Sequence, residues 1–369
     1  MATPDEIIDI YRVARGTAWR YQLEQFETSI LQNMQRTVDA AKKQILADME
    51  TRIKPTSEWT LARQKVMLRE LDELSWGLKS VLKEDLTNAT ASVGSAALKE
   101  AYETLSLNGL SPIINNVSLS PEQYKKFMTE TPIPAWVEAA YSHSVVEPIQ
   151  TALQIGALRG ESYQKIVRKL EDGFDQFSKR ELTTLARTFF QEANVSSHMA
   201  VMEANRDVVS GWIWTVAADD RVCPLCLPLS ENFYELDEEH PVIPRHPRCR
   251  CMPRAKTKTW KELGIDLPEL APIEQAVVTR GYEKNGKWVI PPINTGTRLP
   301  FQKVELWKGG IKEAFPNMPD KQQIAMIGRK RFELLKEGKI TLDDLVDRKT
   351  GRLFTIDELT GGKKGGGRG

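Results

Sequence analysis

The chain has 369 residues, long for a single hydrophobic core, so two or three domains are expected. Its 51 basic residues are matched by 50 acidic ones, which argues against a protein devoted mainly to gripping nucleic acid and leaves room only for local contact with DNA. No apolar run approaches the roughly 18–20 residues of a membrane span, and the acidic start Met1-Ala2-Thr3-Pro4-Asp5-Glu6 lacks the apolar region of an export signal.

Thr3-Pro4-Asp5-Glu6 reads as a helix start, with a capping residue, Pro at the first helical position and Glu to close the box. Leu23, Phe26, Ile30, Met34, Val38, Ala41, Ile45 and Met49 then recur in steps of three and four, the spacing of an amphipathic helix. Pro55 interrupts it. Beyond, Met67, Leu71, Leu74, Leu78 and Val81 repeat with near-heptad spacing, which fits an intramolecular helical hairpin or an oligomeric coiled coil. Small residues from Ala89 to Ala97 allow a close helix crossing.

After a loop at 107–119, Ser120-Pro121-Glu122-Gln123 opens further helices that run to about residue 208. One of them carries Leu182, Leu185, Phe189 and Ala193 on a single face. From Gly211 the pattern changes: Trp212-Ile213-Trp214-Thr215-Val216 is aromatic and β-branched, as strands are. A short helix is expected around Trp260–Leu263, a strand at Lys287-Trp288-Val289-Ile290 and a helix over Lys321–Leu335. The echo Thr341-Leu342-Asp343-Asp344-Leu345 and Thr355-Ile356-Asp357-Glu358-Leu359 reads as two capped helix starts.

The expected class is α+β, mainly α. Long N-terminal helices occupy 1–118, and a helical middle domain over 119–262 is closed by a small zinc-braced strand and loop module at 211–262. A small α+β unit follows over 263–360, and 361–369 form a flexible Gly/Lys/Arg tail.

All four cysteines fall between Cys223 and Cys251, whereas a disulfide scaffold would distribute them through a small secreted domain. Cys223-Pro224-Leu225-Cys226 places two thiolates one tight turn apart, and His246-Pro247-Arg248-Cys249-Arg250-Cys251 offers a second group. Zinc takes four N or S ligands in a tetrahedron, and two close pairs separated by a loop supply them. Such donors do not suit magnesium or calcium, which prefer oxygen. The preferred set is Cys223, Cys226, His246 and Cys251. Cys249 stands outside it or in place of His246, because alternate side chains of an extended segment point opposite ways; His240 is a reserve. Four filled positions leave none for water, so the zinc is expected to be structural, contributing on the order of 10 kcal/mol to folding.

Several features in order carry a resemblance. They are the Ser162–Asp172 helix of the SYQKIVRKLED type, Leu185-Ala186-Arg187-Thr188 with Asn194 and His198, Gly211-Trp212-Ile213-Trp214, Asp219-Asp220-Arg221-Val222-Cys223-Pro224-Leu225-Cys226, and the closing HPRCRC. Together, over about residues 120–255, they resemble the Mu F-like head morphogenesis domain of tailed phages and prophages. Phe189 stands where that family often has an acidic residue, and Leu227-Pro228-Leu229-Ser230 lacks its usual glycine. The resemblance implies a minor capsid protein of the virion, at the portal vertex or capsid interior, that aids head assembly or DNA ejection. Its implied partners are portal, capsid or scaffold proteins and packaged DNA, with the host cytoplasm as its place before assembly.

Arg187 is expected to bridge to Asp219 or Asp220 and so fix its helix against the zinc loop. No enzyme is expected: ligand spacing claims the Cys and His residues, His143 and His198 lack identifiable catalytic partners, and no GxxxxGK[ST] loop occurs. The alternatives are a zinc-ribbon nucleic-acid-binding protein, using Arg245, Arg248, Arg250, Arg254, Lys256 and Lys258, or a head protein with a C-terminal toxin domain.

Overall fold

A computed structural model describes residues 4–52, 61–110, 113–127, 139, 143, 147, 151, 163–217, 222–267, 275–284, 287–289, 301–307 and 310–361. The described chain is mainly helical and carries small antiparallel sheets. None of its helices is long and apolar enough to cross a membrane. The chain divides into two compact units that are not consecutive in sequence. One comprises Tyr21–Ala97 and Ser118–Asn194; the other comprises Met1–Arg20, Leu98–Val117 and Val195–Gly369.

In the first unit, α1 (Pro4–Arg52) and α2 (Leu61–Leu105) end and restart on either side of the Pro55 segment, which lies outside the described residues. α4 (Tyr163–Gln176) follows α3 (Pro121–Phe127) and runs through a wide turn at Phe177–Glu181 into α5 (Leu182–Glu203). Contacts set α1 antiparallel to this pair. Phe26 meets Phe190 at 6.3 Å, Gln35 donates to the Ser178 carbonyl, and Lys42 pairs with Asp175 at 2.8 Å. Leu23, Met34 and Val38 are buried as their spacing requires, as are Leu182, Phe189 and Ala193. Each of the larger side chains among these contributes roughly 1.5–3 kcal/mol.

Of the near-heptad positions in α2, Leu78 is buried but Val81 is exposed, with Leu82 and Leu86 buried in its stead, and the side chains of Met67, Leu71 and Leu74 lie outside the described residues. Steps of four follow the 3.6-residue period of a straight helix, so the buried stripe drifts off a heptad seam. The small-residue stretch receives an aromatic ring. A Cβ on Gly94 would overlap Tyr124, whose hydroxyl donates to the Ala193 carbonyl at 3.1 Å.

In the second unit, β1 (Val209–Thr215) lies between β2 (Phe233–Tyr234) and β3 (Met252–Thr257), antiparallel to both. Trp212 and Trp214, two residues apart, share one face of β1 and are both buried. Gly211 is required where it stands, since any side chain would strike the Tyr234 backbone. A second sheet has the order β5 (Lys287–Val289), β4 (Gln275–Lys284), β6 (Phe301–Trp307). The turn at 260–264 closes with Ile265 N–H to the Trp260 carbonyl and does not extend into the expected helix.

After α6 (Gly310–Ala314), the single helix expected at 321–335 is two, α7 (Asp320–Ile327) and α8 (Arg329–Lys336). Gly328 between them has φ 83 and ψ 150, which a helix cannot include. The echo is a pair of caps. Thr341 donates to Asp344 ahead of a single turn, and Thr355 with Glu358 forms a full capping box for α9 (Ile356–Leu359). The expected tail at 362–369 lies outside the described residues.

Two side chains test this account. Fully buried Asn205 accepts from the Asn115 N–H and donates to the Asn115 and Val201 carbonyls, tying the 113–120 loop to the end of α5. Asn205→Ala strands these groups and is expected to cost about 2–3 kcal/mol in chemical denaturation. Glu27, buried in the first unit with Arg187 3.6 Å away, is pushed up from 4.5 to about 7 by desolvation, which outweighs the arginine. The fold prefers its protonated form, a preference fully present below pH 4.5 and lost as the pH rises through 7. Glu27→Gln should therefore stabilise by up to about 3 kcal/mol at pH 8 and leave stability at pH 4 unchanged, as read by melting at the two pH values.

Candidate metal centre

The CPLC turn sits on a backbone loop that returns to β1. Cys226 and Leu227 both donate their N–H groups to the Cys223 carbonyl, at 3.1 and 3.0 Å, and the Leu227–Leu229 turn follows. The chain then re-enters the sheet, with Glu231 donating to the Trp214 carbonyl and Trp214 to the Asn232 carbonyl, each at 2.8 Å. The knuckle is thereby fixed beside the central strand.

The HPRCRC segment approaches from the other side. Cys249 N–H closes a turn on the His246 carbonyl at 3.0 Å, and Arg248 adopts φ 61. The segment is thus a turn leading into β3, not an extended run, so the alternation that would have separated Cys249 from Cys251 does not apply. Cys226, Cys249 and Cys251 lie within 4.8 Å of one another, as do Cys223, Cys226 and His246. His246 Nε2 is 3.2 Å from the Cys223 sulfur and 3.3 Å from that of Cys226. All five expected ligands are brought together. Three of the cysteines are buried, while Cys223 and His246 are partly exposed.

Electrostatics in the cluster follow from crowding. The hydrogen bond with Cys226, then the His246 imidazolium, hold the Cys223 thiol down to about 4. Cys226 is driven far up because it shares protons with Cys223, Cys249 and Cys251 and is buried. His246 is raised to about 10 by its bonds to Cys223 and Cys249. Four thiols confined to one pocket cannot ionise together without a compensating positive charge.

The donors fit a soft divalent metal. The Pro247 carbonyl, 2.9 Å from His246 Nδ1, can hold the proton on that nitrogen and leave the Nε2 lone pair facing the sulfurs. The buried Trp214 indole N–H has no hydrogen-bond partner among the described residues and lies near Cys251, where a metal-bound thiolate would accept it. With four or more protein donors the site is closed to water, so a bound ion would supply folding energy.

The other candidates are placed elsewhere. His240 joins an aromatic cluster, its ring edge 4.9 Å from Trp212, which stacks on Tyr234 at the same distance. Burial pulls His198 down to about 4, so it is neutral. Exposed His143 lies 3.4 Å from Glu147. Asp219 and Asp220 lie outside the described residues, and the pairing described for Arg187 is with Glu27. Within 245–258, Arg254 pairs with Glu231 at 2.8 Å and Lys256 covers the Phe233 ring. Arg245 and Lys258 donate to backbone carbonyls of Gly351 and of Arg206 and Asp207.

Sequence reasoning missed a brace formed by residues 343–353. The Tyr234 hydroxyl donates to the Arg348 carbonyl at 3.0 Å, and the Arg348 guanidinium lies over the Tyr234 ring and pairs with Glu238. Asp347 and Gly351 signal a turn there, but nothing local signals its partner more than a hundred residues away.

If this pocket carries a metal, 1,10-phenanthroline should strip roughly one ion per chain. The same treatment should lower the melting temperature and shift tryptophan emission to the red as Trp212 and Trp214 meet water. Unchanged melting and emission in chelator would refute a folding role.

Compared with known families, residues 147–254 match the one described as Phage Mu protein F like protein. No curated protein and no solved structure matches the chain. The matched stretch takes in α4, α5, β1 and β2 and all five clustered donors, and it closes inside β3 at Arg254. Over this segment the chain is similar to the Phage Mu protein F like family.

Proposed function

We propose that the chain is a minor head protein of a tailed phage or prophage, held in shape by a structural zinc ion and acting by assembly, not catalysis. Its place is the portal vertex or the capsid interior, its partners are portal and capsid proteins, and it aids head assembly or DNA delivery. The observation that carries this reading is coincidence in sequence: the family-matched segment contains the whole Cys/His cluster and the central strand beside it. Zinc is favoured among metals by a thiolate-rich set with one imidazole.

The rival thiol-enzyme reading would pair one thiol with one imidazole. Here Cys223 and Cys226 both press on the same His246 nitrogen, and two more thiols crowd behind them, an arrangement suited to coordination. The nucleic-acid reading draws on the basic 245–258 segment, whose cations already have partners within the protein, among them Arg245, Arg254, Lys256 and Lys258. Any DNA contact is therefore secondary.

Mass spectrometry of purified phage particles tests the assignment. The protein is expected in complete particles together with the portal protein, and disruption of its gene should yield heads of reduced infectivity. Particles that lack the protein yet infect normally would overturn it.

A further inference from the structure

Five donors converge where a tetrahedral ion takes four, and they form two triads that overlap in one residue. Cys223, Cys226 and His246 make a partly exposed outer triad; Cys226, Cys249 and Cys251 make an inner one whose three sulfurs are all buried. Only Cys226 belongs to both. The Cys249 N–H also donates to the His246 carbonyl at 3.0 Å, so one backbone turn joins the two groups from the other side. Cys251 is as deeply buried as Cys249 and has the buried Trp214 indole near it.

We propose that the site is a four-coordinate metal centre with a spare ligand, in which Cys226 is the fixed pivot and His246 and Cys251 are interchangeable. This rests on the metal reading above and adds a regulation to it. An ion enters through the exposed Cys223–Cys226–His246 side and exchanges the imidazole for the Cys251 thiolate without leaving the protein. The exchange alters the donor set between three thiolates with one nitrogen and four thiolates. His246 is then released at the surface while the β1–β3 module stays braced. No electron transfer is involved: one metal–nitrogen bond breaks, one metal–sulfur bond forms, and the Cys251 proton passes to the freed imidazole or to water.

Metal content and the Co(II) spectrum of the full-length chain and its variants test this. Wild-type protein should bind one ion. His246→Ala and Cys251→Ser should each still bind one, His246→Ala with the spectrum of four thiolates and Cys251→Ser with that of three thiolates and a nitrogen. The double variant and Cys226→Ser should each lose at least nine-tenths of the metal.

A His246→Ala chain that folds by circular dichroism but holds no metal overturns the spare-ligand proposal and leaves the metal reading intact. So does a double variant that keeps its ion. A wild-type chain without metal overturns both. Cadmium-113 NMR of the unmodified protein requires no variant. Two resonances or one exchange-broadened resonance are expected, and a single sharp line characteristic of either pure donor set overturns the proposal.

Discussion

The second unit depends on one constraint: four thiols and an imidazole are confined to a pocket that cannot hold their charge unaided. Burial and mutual proximity make the cluster unfavourable alone and favourable around a cation. That balance draws two segments some twenty residues apart onto the same strand. β1 is the centre of a three-stranded sheet whose neighbours are a two-residue strand and a six-residue strand, too little ladder to be stable by itself. The side-chain grip and the Trp212–Tyr234–His240 packing supply what the ladder lacks.

Sequence legibility followed the range of the forces involved. The Leu23, Met34 and Val38 positions of α1, the aromatic strand, the CPLC knuckle and the Thr341 and Thr355 caps are written in neighbouring residues, and the structure contains them, whereas Phe26 of the same stripe is exposed. The Arg329 helix start was hidden because Gly328 reads as a mild weakness in a helix until its positive φ is known. Likewise β4 and β6, which pair across an interval of more than twenty residues, lack a strong alternating pattern of their own. The site was legible as a donor list but not as an arrangement. Whether Cys249 and Cys251 face together depends on the Arg248 backbone, and Trp214 and Arg348 enter through tertiary contacts.

Electrostatics reconcile the neutral composition with the crowded basic segment. Acidic residues 231–239 meet their counterparts one by one: Glu231 with Arg254, Asp237 with Arg206, Glu238 with Arg348. The exposed pairs among them contribute little stability individually. Their larger effect is on which segments lie together, since they align the loop between the CPLC and HPRCRC segments with both the end of α5 and the Arg348 turn.

The composition of β3 has a further consequence. Among the described residues its outer side has no neighbouring strand, and sheet borders of this kind can accept another strand. Pro253 lacks the N–H a new neighbour would need, and Arg254 and Lys256 place cations along the same short run. A second copy laid along this border would thus find one rung of the ladder missing at Pro253.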